Sequence, residues 1–166
     1  MNEGEITPID LDVWFDNHIM QRVKTIEYDE SHYYRINVAL CYKRHHFRDN
    51  EGNRVLFAVF PQWLDAPNLV RPNYDHAVRF LKALENHIRE IDPDENVMVS
   101  LNLYLSGASG PMLAFHEAYY GPEVEGFPYW HRPNGWFLER QSFNSQTKTY
   151  EKERSMFDYK ATFPRP

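Results

Sequence analysis

The sequence has few of the features by which protein classes are most easily recognised. Only one of its 166 residues is a cysteine, Cys41, so no disulfide can form within the chain. This excludes the small disulfide-rich secreted domains and favours a reducing compartment. No uninterrupted apolar run approaches the roughly 18 residues of a membrane-spanning helix, and the acidic N-terminus lacks the apolar segment of a signal peptide. We therefore expect a cytoplasmic protein with no membrane partner.

The chain also lacks an excess of basic residues. Its 18 lysines and arginines stand against 24 acidic residues, and residues 1–31 alone, with eight acids and two bases, account for the whole net charge of −6. The balanced remainder argues against general binding to nucleic acid, which depends on neutralising phosphates. A secondary candidate for a nucleic-acid contact is the basic segment formed by Lys43, Arg44, His45, His46 and Arg48. The other interpretation of this segment is a solvated strand end.

Catalytic and metal-binding motifs are absent from the sequence. The segment SGASGP at residues 106–111 has no P-loop lysine, and neither of its serines lies in a GxSxG nucleophile elbow. Because we expect this segment to join two strands, no helix terminus is expected to face a phosphate there. The sequence contains no HExxH motif and a single thiol, so we expect neither a metal ion nor a cofactor.

Hydrophobic periodicity predicts an α+β fold in a single domain covering residues 1–166. Helical spacing of apolar residues indicates helices near 8–26 and 74–91. Alternating apolar residues indicate strands, which we pair as hairpins: 33–47 with 54–60, a second hairpin within 97–122, and 136–143 with 156–163. We therefore expect a mainly antiparallel sheet of about six strands, with two helices packed on one face.

Aromatic residues are the most unusual feature that is present, at 26 of 166 residues. Many of them lie in or beside the segment 121–135, whose prolines and glycines exclude regular structure. Aromatic rings and arginine are typical anchors of binding surfaces, and the predicted partner-binding residues are Tyr119, Tyr120, Tyr129, Trp130, His131, Arg132 and Trp136. On this interpretation, alanine at Trp130 or Trp136 leaves the fold intact. The other interpretation is that the loop folds back and its rings cover the sheet.

Two functions from different classes fit these residues. The first is a non-enzymatic protein-interaction module that binds another protein or a protein complex. One version of it is an inhibitor or accessory factor of viral or mobile-element origin that binds a host complex, and a homodimer contact is a further possibility. The second is a small hydrolase that uses His116 or His131 with Glu117 or Glu139 as acid–base groups. The hydrolase requires these groups to converge in one cleft, whereas a packed histidine is the other interpretation of His116.

Overall fold

The structure is a computed structural model that describes residues 10–42, 55, 57–61, 69–105 and 109–152. Helix α1 comprises Leu11–Trp14, a π-helical stretch Phe15–Met20 and a last turn Gln21–Val23. The elements that follow are β1 (Tyr33–Cys41), β2 (Phe57–Phe60), α2 (Val70–Ile91), β3 (Met98–Tyr104), α3 (Ser109–Tyr120), β4 (Trp136–Asn144) and β5 (Thr149–Lys152). None of the helices in these ranges is long and apolar enough to cross a membrane.

The five strands form one mixed sheet in the order β2-β1-β3-β4-β5. Strand β1 is parallel to both of its neighbours, β3 and β4 are also parallel, and only β4 and β5 are antiparallel. The prediction of a mainly antiparallel sheet of about six strands with two helices is therefore wrong. Alternation identifies a strand but not the direction of its neighbour, so strands β1 and β2, which we expected to form a hairpin, pair in parallel with Val38 beside Phe57.

The largest single error concerns the segment 97–122. Its first half forms β3, but its second half is helix α3 rather than a returning strand. Short apolar runs do not distinguish a strand from a buried helix, and Pro111 suits the first turn of a helix, where no amide needs an intrahelical partner. Strands β3 and β4 are therefore joined by a helical crossover, which is the usual connection between parallel neighbours.

The remaining elements agree better with the sequence pattern. The two predicted helices correspond to α1 and α2, although α2 begins four residues earlier, at Val70. The predicted strand 136–143 corresponds to β4, and 121–135 contains neither helix nor strand. The strand predicted at 156–163 lies outside the described residues, and β5 forms within the polar segment that we expected to be a connection.

The hydrophobic core lies between the three helices and one face of the sheet. Strands β1 and β3 supply alternate residues, and the apolar stripe of α2 packs on them. The main contributors, all buried, are Tyr34, Ile36, Val38, Leu40, Val99, Leu101, Leu103, Ala77, Phe80, Leu81 and Leu84. Each large apolar side chain buried in this way contributes roughly 1.5–3 kcal/mol to stability.

Side chains of helix α1 form hydrogen bonds with the backbone of β2, which is the first strand in the order of the sheet over the described residues. The imidazole Nε2 of His18 accepts a hydrogen bond from the Ala58 amide at 3.2 Å. The Val59 carbonyl accepts from the indole Nε1 of Trp14 at 3.4 Å and from Nε2 of His76 on α2 at 2.6 Å. Side chains of two helices therefore form hydrogen bonds with backbone groups of β2.

The opposite face of the sheet carries a row of polar side chains. Asn37, Asn102 and Glu139 lie side by side on β1, β3 and β4. The amide orientation of the fully buried Asn102 that satisfies its neighbours has Nδ2 donating to Glu139 Oε2 at 2.7 Å and Oδ1 accepting from Arg35 Nε at 2.6 Å. Lys152 Nζ lies 3.6 Å from Glu139 Oε1. The Glu139 carboxylate is thus engaged on the side of the sheet away from the helices.

Gly135 occupies a position at the start of β4 that other residues fit poorly. Its φ is +87°, and a Cβ placed on it would lie 2.8 Å from the Val97 carbonyl oxygen. Its own carbonyl accepts from the Val99 amide at 2.9 Å, which starts the pairing of β3 with β4.

We expect Gly135→Ala to lower the free energy of unfolding by about 2 kcal/mol, because alanine is strained at positive φ and its Cβ would contact the Val97 carbonyl. Chemical denaturation measures this loss. Gly126→Ala is the matched control, since Gly126 has a similar φ of +84° but open space around its Cβ position. Equal losses in the two variants would show that the contact with Val97 contributes nothing.

Candidate functional site

Three of the seven predicted partner-binding residues lie in the hydrophobic core. Tyr119, Trp130 and Trp136 are 3%, 2% and 5% exposed. The Trp130 ring lies 5.3 Å from the rings of both other residues, centroid to centroid, and its Nε1 donates to Glu85 Oε1 on α2 at 2.9 Å. These rings hold the loop after α3 against the sheet and α2. The expectation that alanine at either tryptophan leaves the fold intact does not fit their burial.

The other four predicted residues remain accessible. Tyr120, His131 and Arg132 are exposed, and Tyr129 is half-buried. The Arg132 guanidinium carbon lies 5.6 Å from the Tyr120 ring centroid and 5.8 Å from that of Tyr119. No carboxylate in the described part of the chain lies within ion-pair distance of Arg132. A guanidinium presented in this way is free to bind a carboxylate, a phosphate or backbone carbonyls of another molecule.

His116 and Arg140 extend this surface along the outer side of α3. Nδ1 of His116 donates to the Met112 carbonyl at 2.7 Å, and its Nε2 accepts from Nη1 of Arg140 at 3.4 Å. The His116 ring stacks 6.4 Å from that of Tyr120. Arg140, like Arg132, makes no ion pair with a carboxylate among the residues described. We name Tyr120, Arg132, His116 and Arg140 together the Arg–Tyr surface.

The structure gives the hydrolase hypothesis no support. Within the described ranges, no hydrogen bond, ion pair or ring contact joins His116 to His131, whose ring lies 6.3 Å from that of Tyr129. Glu139 lies on the opposite side of the sheet from α3, where Asn102 and Lys152 engage it. Glu117 follows His116 on α3, so the two side chains leave the helix about 100° apart. Of the two cavities described below, one is lined by His131 and the other by Glu117, and neither is lined by both, so the hydrolase stays an untested hypothesis.

A cavity of about 370 Å³ lies where β3 and β4 begin, and its lining includes the charged or titratable residues Arg89, Asp92, Asp94, His131 and Arg132. The buried Asp92 carboxylate lies against His32, with Oδ2 2.7 Å from His32 Nδ1, and it also accepts from the Tyr34 hydroxyl at 3.3 Å. Although burial opposes it, hydrogen bonding from His32 and the Asp94 amide keeps the pKa of Asp92 below its usual value. The same bond raises the pKa of His32.

The His32–Asp92 pair has a structural role that the sequence analysis missed. His32 precedes β1 with a φ of +57°, and Asp92 follows the last residue of α2, so the pair joins the two elements. The local sequence pattern does not indicate this pair, because its two members lie 60 positions apart in the chain. In the described residues no group of three or more histidine, cysteine and acidic side chains is placed to hold a metal ion.

A second concave surface is an apolar groove of about 530 Å³ between the start of α2 and the loop after α3. Its lining residues are Val70, Arg71, Tyr74, Glu117, Gly121, Pro122, Val124 and Phe127, and we call this surface the apolar groove. The sequence analysis did not find it because its two walls come from segments that are far apart in the chain. The basic segment with Lys43, Arg44, His45, His46 and Arg48 lies outside the described residues, and its contact with nucleic acid stays a prediction.

Comparison with known proteins assigns no relative to this chain. No family model matches the sequence, and no curated protein or solved structure is significantly similar to it. The choice of a functional site therefore depends on the geometry of the chain itself. The Arg–Tyr surface combines two of the four accessible predicted residues, Tyr120 and Arg132, with His116 and Arg140.

Proposed function

We propose that this protein is a non-enzymatic interaction module that binds another protein through the Arg–Tyr surface. Arg132 is the observation that carries the proposal, because its exposed guanidinium lies over two tyrosine rings and has no carboxylate partner among the described residues. Arginine and tyrosine are enriched among the few residues that dominate binding energy at protein interfaces. Tyr119 is buried in the core, so the ring beside the Arg132 guanidinium is already ordered before a partner binds.

The charge of the surface favours a partner that presents carboxylates. Arg132 and Arg140 lie on either side of Tyr120 and His116, and planar guanidinium groups bind carboxylates with two parallel hydrogen bonds. The net charge of −6 argues against nucleic acid as the general partner. A cytoplasmic location stays part of the proposal and is supported by the single cysteine, which is buried. A host protein complex, bound by an inhibitor or accessory factor, is the narrower version of the same proposal.

We expect Arg132→Ala to weaken partner binding by roughly thirtyfold, which corresponds to the 2 kcal/mol typical of an interface hot spot. Arg132→Lys keeps the charge but loses the planar fork, so we expect an intermediate loss. The measurement is capture by the tagged protein from its native cell lysate at low and moderate salt, followed by titration with the purified partner.

Arg22→Ala is the matched control, because Arg22 is an exposed arginine on α1, away from the Arg–Tyr surface. Thermal melting checks that each variant is folded. Undiminished capture by a folded Tyr120→Ala/Arg132→Ala double variant would rule out this surface as the binding site. Capture of a second copy of the chain alone would identify a homodimer contact instead of a separate partner.

A further inference from the structure

The apolar groove shares no residue with the Arg–Tyr surface, although its Glu117 and Gly121 directly follow His116 and Tyr120 in the chain. We infer that this groove is a docking site for a basic amphipathic segment of a partner protein. The inference goes beyond the proposed function, because it concerns a second surface and a partner segment of opposite charge.

The groove is held open by contacts between its two walls. The Tyr74 hydroxyl on α2 donates to the Pro128 carbonyl at 2.9 Å, and Arg71 donates from Nη2 to the Gly126 carbonyl at 3.3 Å. The Arg71 guanidinium carbon also lies 4.6 Å from the Phe127 ring centroid. An apolar surface that exists before binding lowers the cost of ordering the interface.

The rim of the groove carries negative charge that no described residue neutralises. Glu117 lines the groove, and the exposed Glu123 and Glu125 alternate with Pro122 and Val124 in the loop wall. None of these three glutamates makes an ion pair within the described ranges. Arg71 is the cation of the lining, and its Nε lies 3.7 Å from Asp75 Oδ2. An occupant with lysine or arginine beside its apolar groups is therefore favoured, and an anionic one is repelled.

The charge of this rim also acts on Tyr74 within the groove. Burial raises the pKa of the Tyr74 hydroxyl, and the nearby carboxylates of Asp75 and Glu117 raise it further. Of the three rim glutamates, Glu117 therefore lies close enough to act on this residue of the groove lining.

The shape of the groove favours a protein segment over a small molecule. Val70, Val124 and Phe127 are 66%, 48% and 42% exposed, so the walls face outward. Sites for small molecules bury about 70–90% of the ligand surface, which this open groove does not do. An amphipathic helix places its apolar face into such a groove and keeps its charged residues at the rim.

The experiment uses the full chain and a fluorescent helical peptide with leucines at i, i+3, i+4 and i+7 and lysines elsewhere. Fluorescence anisotropy gives the affinity, and amide NMR shifts of Gly121 and Gly126 report the location. We expect at least about tenfold weaker binding for two comparison peptides, one with glutamate in place of lysine and one with serine in place of leucine.

Two variants of the protein test the two parts of the inference separately. Val124→Ser removes apolar surface at an exposed position, and Glu117→Gln/Glu123→Gln/Glu125→Gln removes the charge of the rim. We expect each to weaken binding of the basic peptide by about tenfold. The matched control is Glu27→Gln/Glu30→Gln/Glu90→Gln, which changes the net charge equally at exposed positions elsewhere and should leave the affinity unchanged.

Several results would overturn the inference. Equal losses in the two triple variants would show that net charge alone attracts the peptide. Equal affinity for the glutamate peptide would show that the groove does not require a basic occupant. Equal affinity for the serine peptide would show that it does not require an apolar one. Shifts confined to Gly135 would place the contact elsewhere. Binding of octylammonium as tight as that of the peptide would assign the groove to a small apolar cation.

Discussion

Trp130→Ala should lower the free energy of unfolding by about 3–5 kcal/mol, the loss typical of removing a buried tryptophan. The ring is enclosed between Tyr119 and Trp136, so its removal leaves a cavity where the loop meets the core. The substitution also removes the Nε1 donor that Glu85 accepts from. Denaturation with guanidinium chloride at neutral pH measures the loss.

Tyr120→Ala is the control for this substitution. Tyr120 is also a large aromatic residue next to the loop, but it is 55% exposed, and we expect a change within about 0.5 kcal/mol. If both variants were equally stable, the loop would not be held by Trp130. The ring would then be available to a partner, as the aromatic content of the sequence suggested.

Stability should fall steeply as the pH decreases from about 6.5 to about 4. Burial lowers the pKa of His76 to about 4, with a smaller contribution from the charge of Arg79. Burial and Arg22 likewise lower the pKa of His18 to about 4. Between these pH values the unfolded chain binds protons that the folded chain does not, so protons favour unfolding. For His76 the shift corresponds to about 3 kcal/mol, and the contribution of the less buried His18 is smaller.

The measurement is the free energy of unfolding between pH 7 and pH 4.5 for the protein and for a His18→Gln/His76→Gln double variant. Glutamine keeps an acceptor for the Ala58 amide and a donor for the Val59 carbonyl but does not titrate. We expect a shallower pH dependence in the variant. An unchanged slope would show that carboxylates alone account for the acid sensitivity.

His32 acts in the opposite direction over a different range of pH. The hydrogen bond to Asp92 raises the pKa of His32. The contribution of His32 to the free energy of unfolding is therefore fully present below the ordinary pKa of about 6.5. It is lost as the pH rises through the raised pKa. The protein should therefore be most stable near neutral pH, between the range in which His18 and His76 become protonated and the range in which His32 loses its proton.

The local pattern of the sequence predicted some elements well because their spacing allows only one structure. Ala77, Leu81, Leu84 and Ile88 lie on one side of a helix and on no single face of a strand, and α2 forms there. In the run from Met112 to Tyr120, the spacing of apolar residues does not distinguish a helix from a strand. In α3 the buried residues Phe115, Ala118 and Tyr119 do follow helical spacing, but neighbouring apolar residues hide it in the sequence.

The candidate site was only partly predictable, because the sequence pattern did not identify α3 as a helix. Tyr119 and Tyr120 are adjacent and chemically identical, yet one is buried and the other exposed, because successive residues of a helix point in different directions. Knowledge that α3 is a helix would have assigned Tyr120 to the outer side with Leu113, His116 and Glu117. The apolar groove depends on a tertiary contact between α2 and a distant loop, and no local pattern reports such a contact.

The hydrogen bonds from α1 and α2 to β2 have a consequence for self-association. An edge strand with free backbone groups is a template on which another chain can add a strand. In the described part of this sheet, side chains of His18, Trp14 and His76 form hydrogen bonds with backbone groups of β2 at Ala58 and Val59. A protonated His18 cannot accept from the Ala58 amide, so acid uncovers part of this edge while it destabilises the fold. We therefore expect acid to favour intermolecular strand pairing at β2, beside the π-helical segment that carries His18.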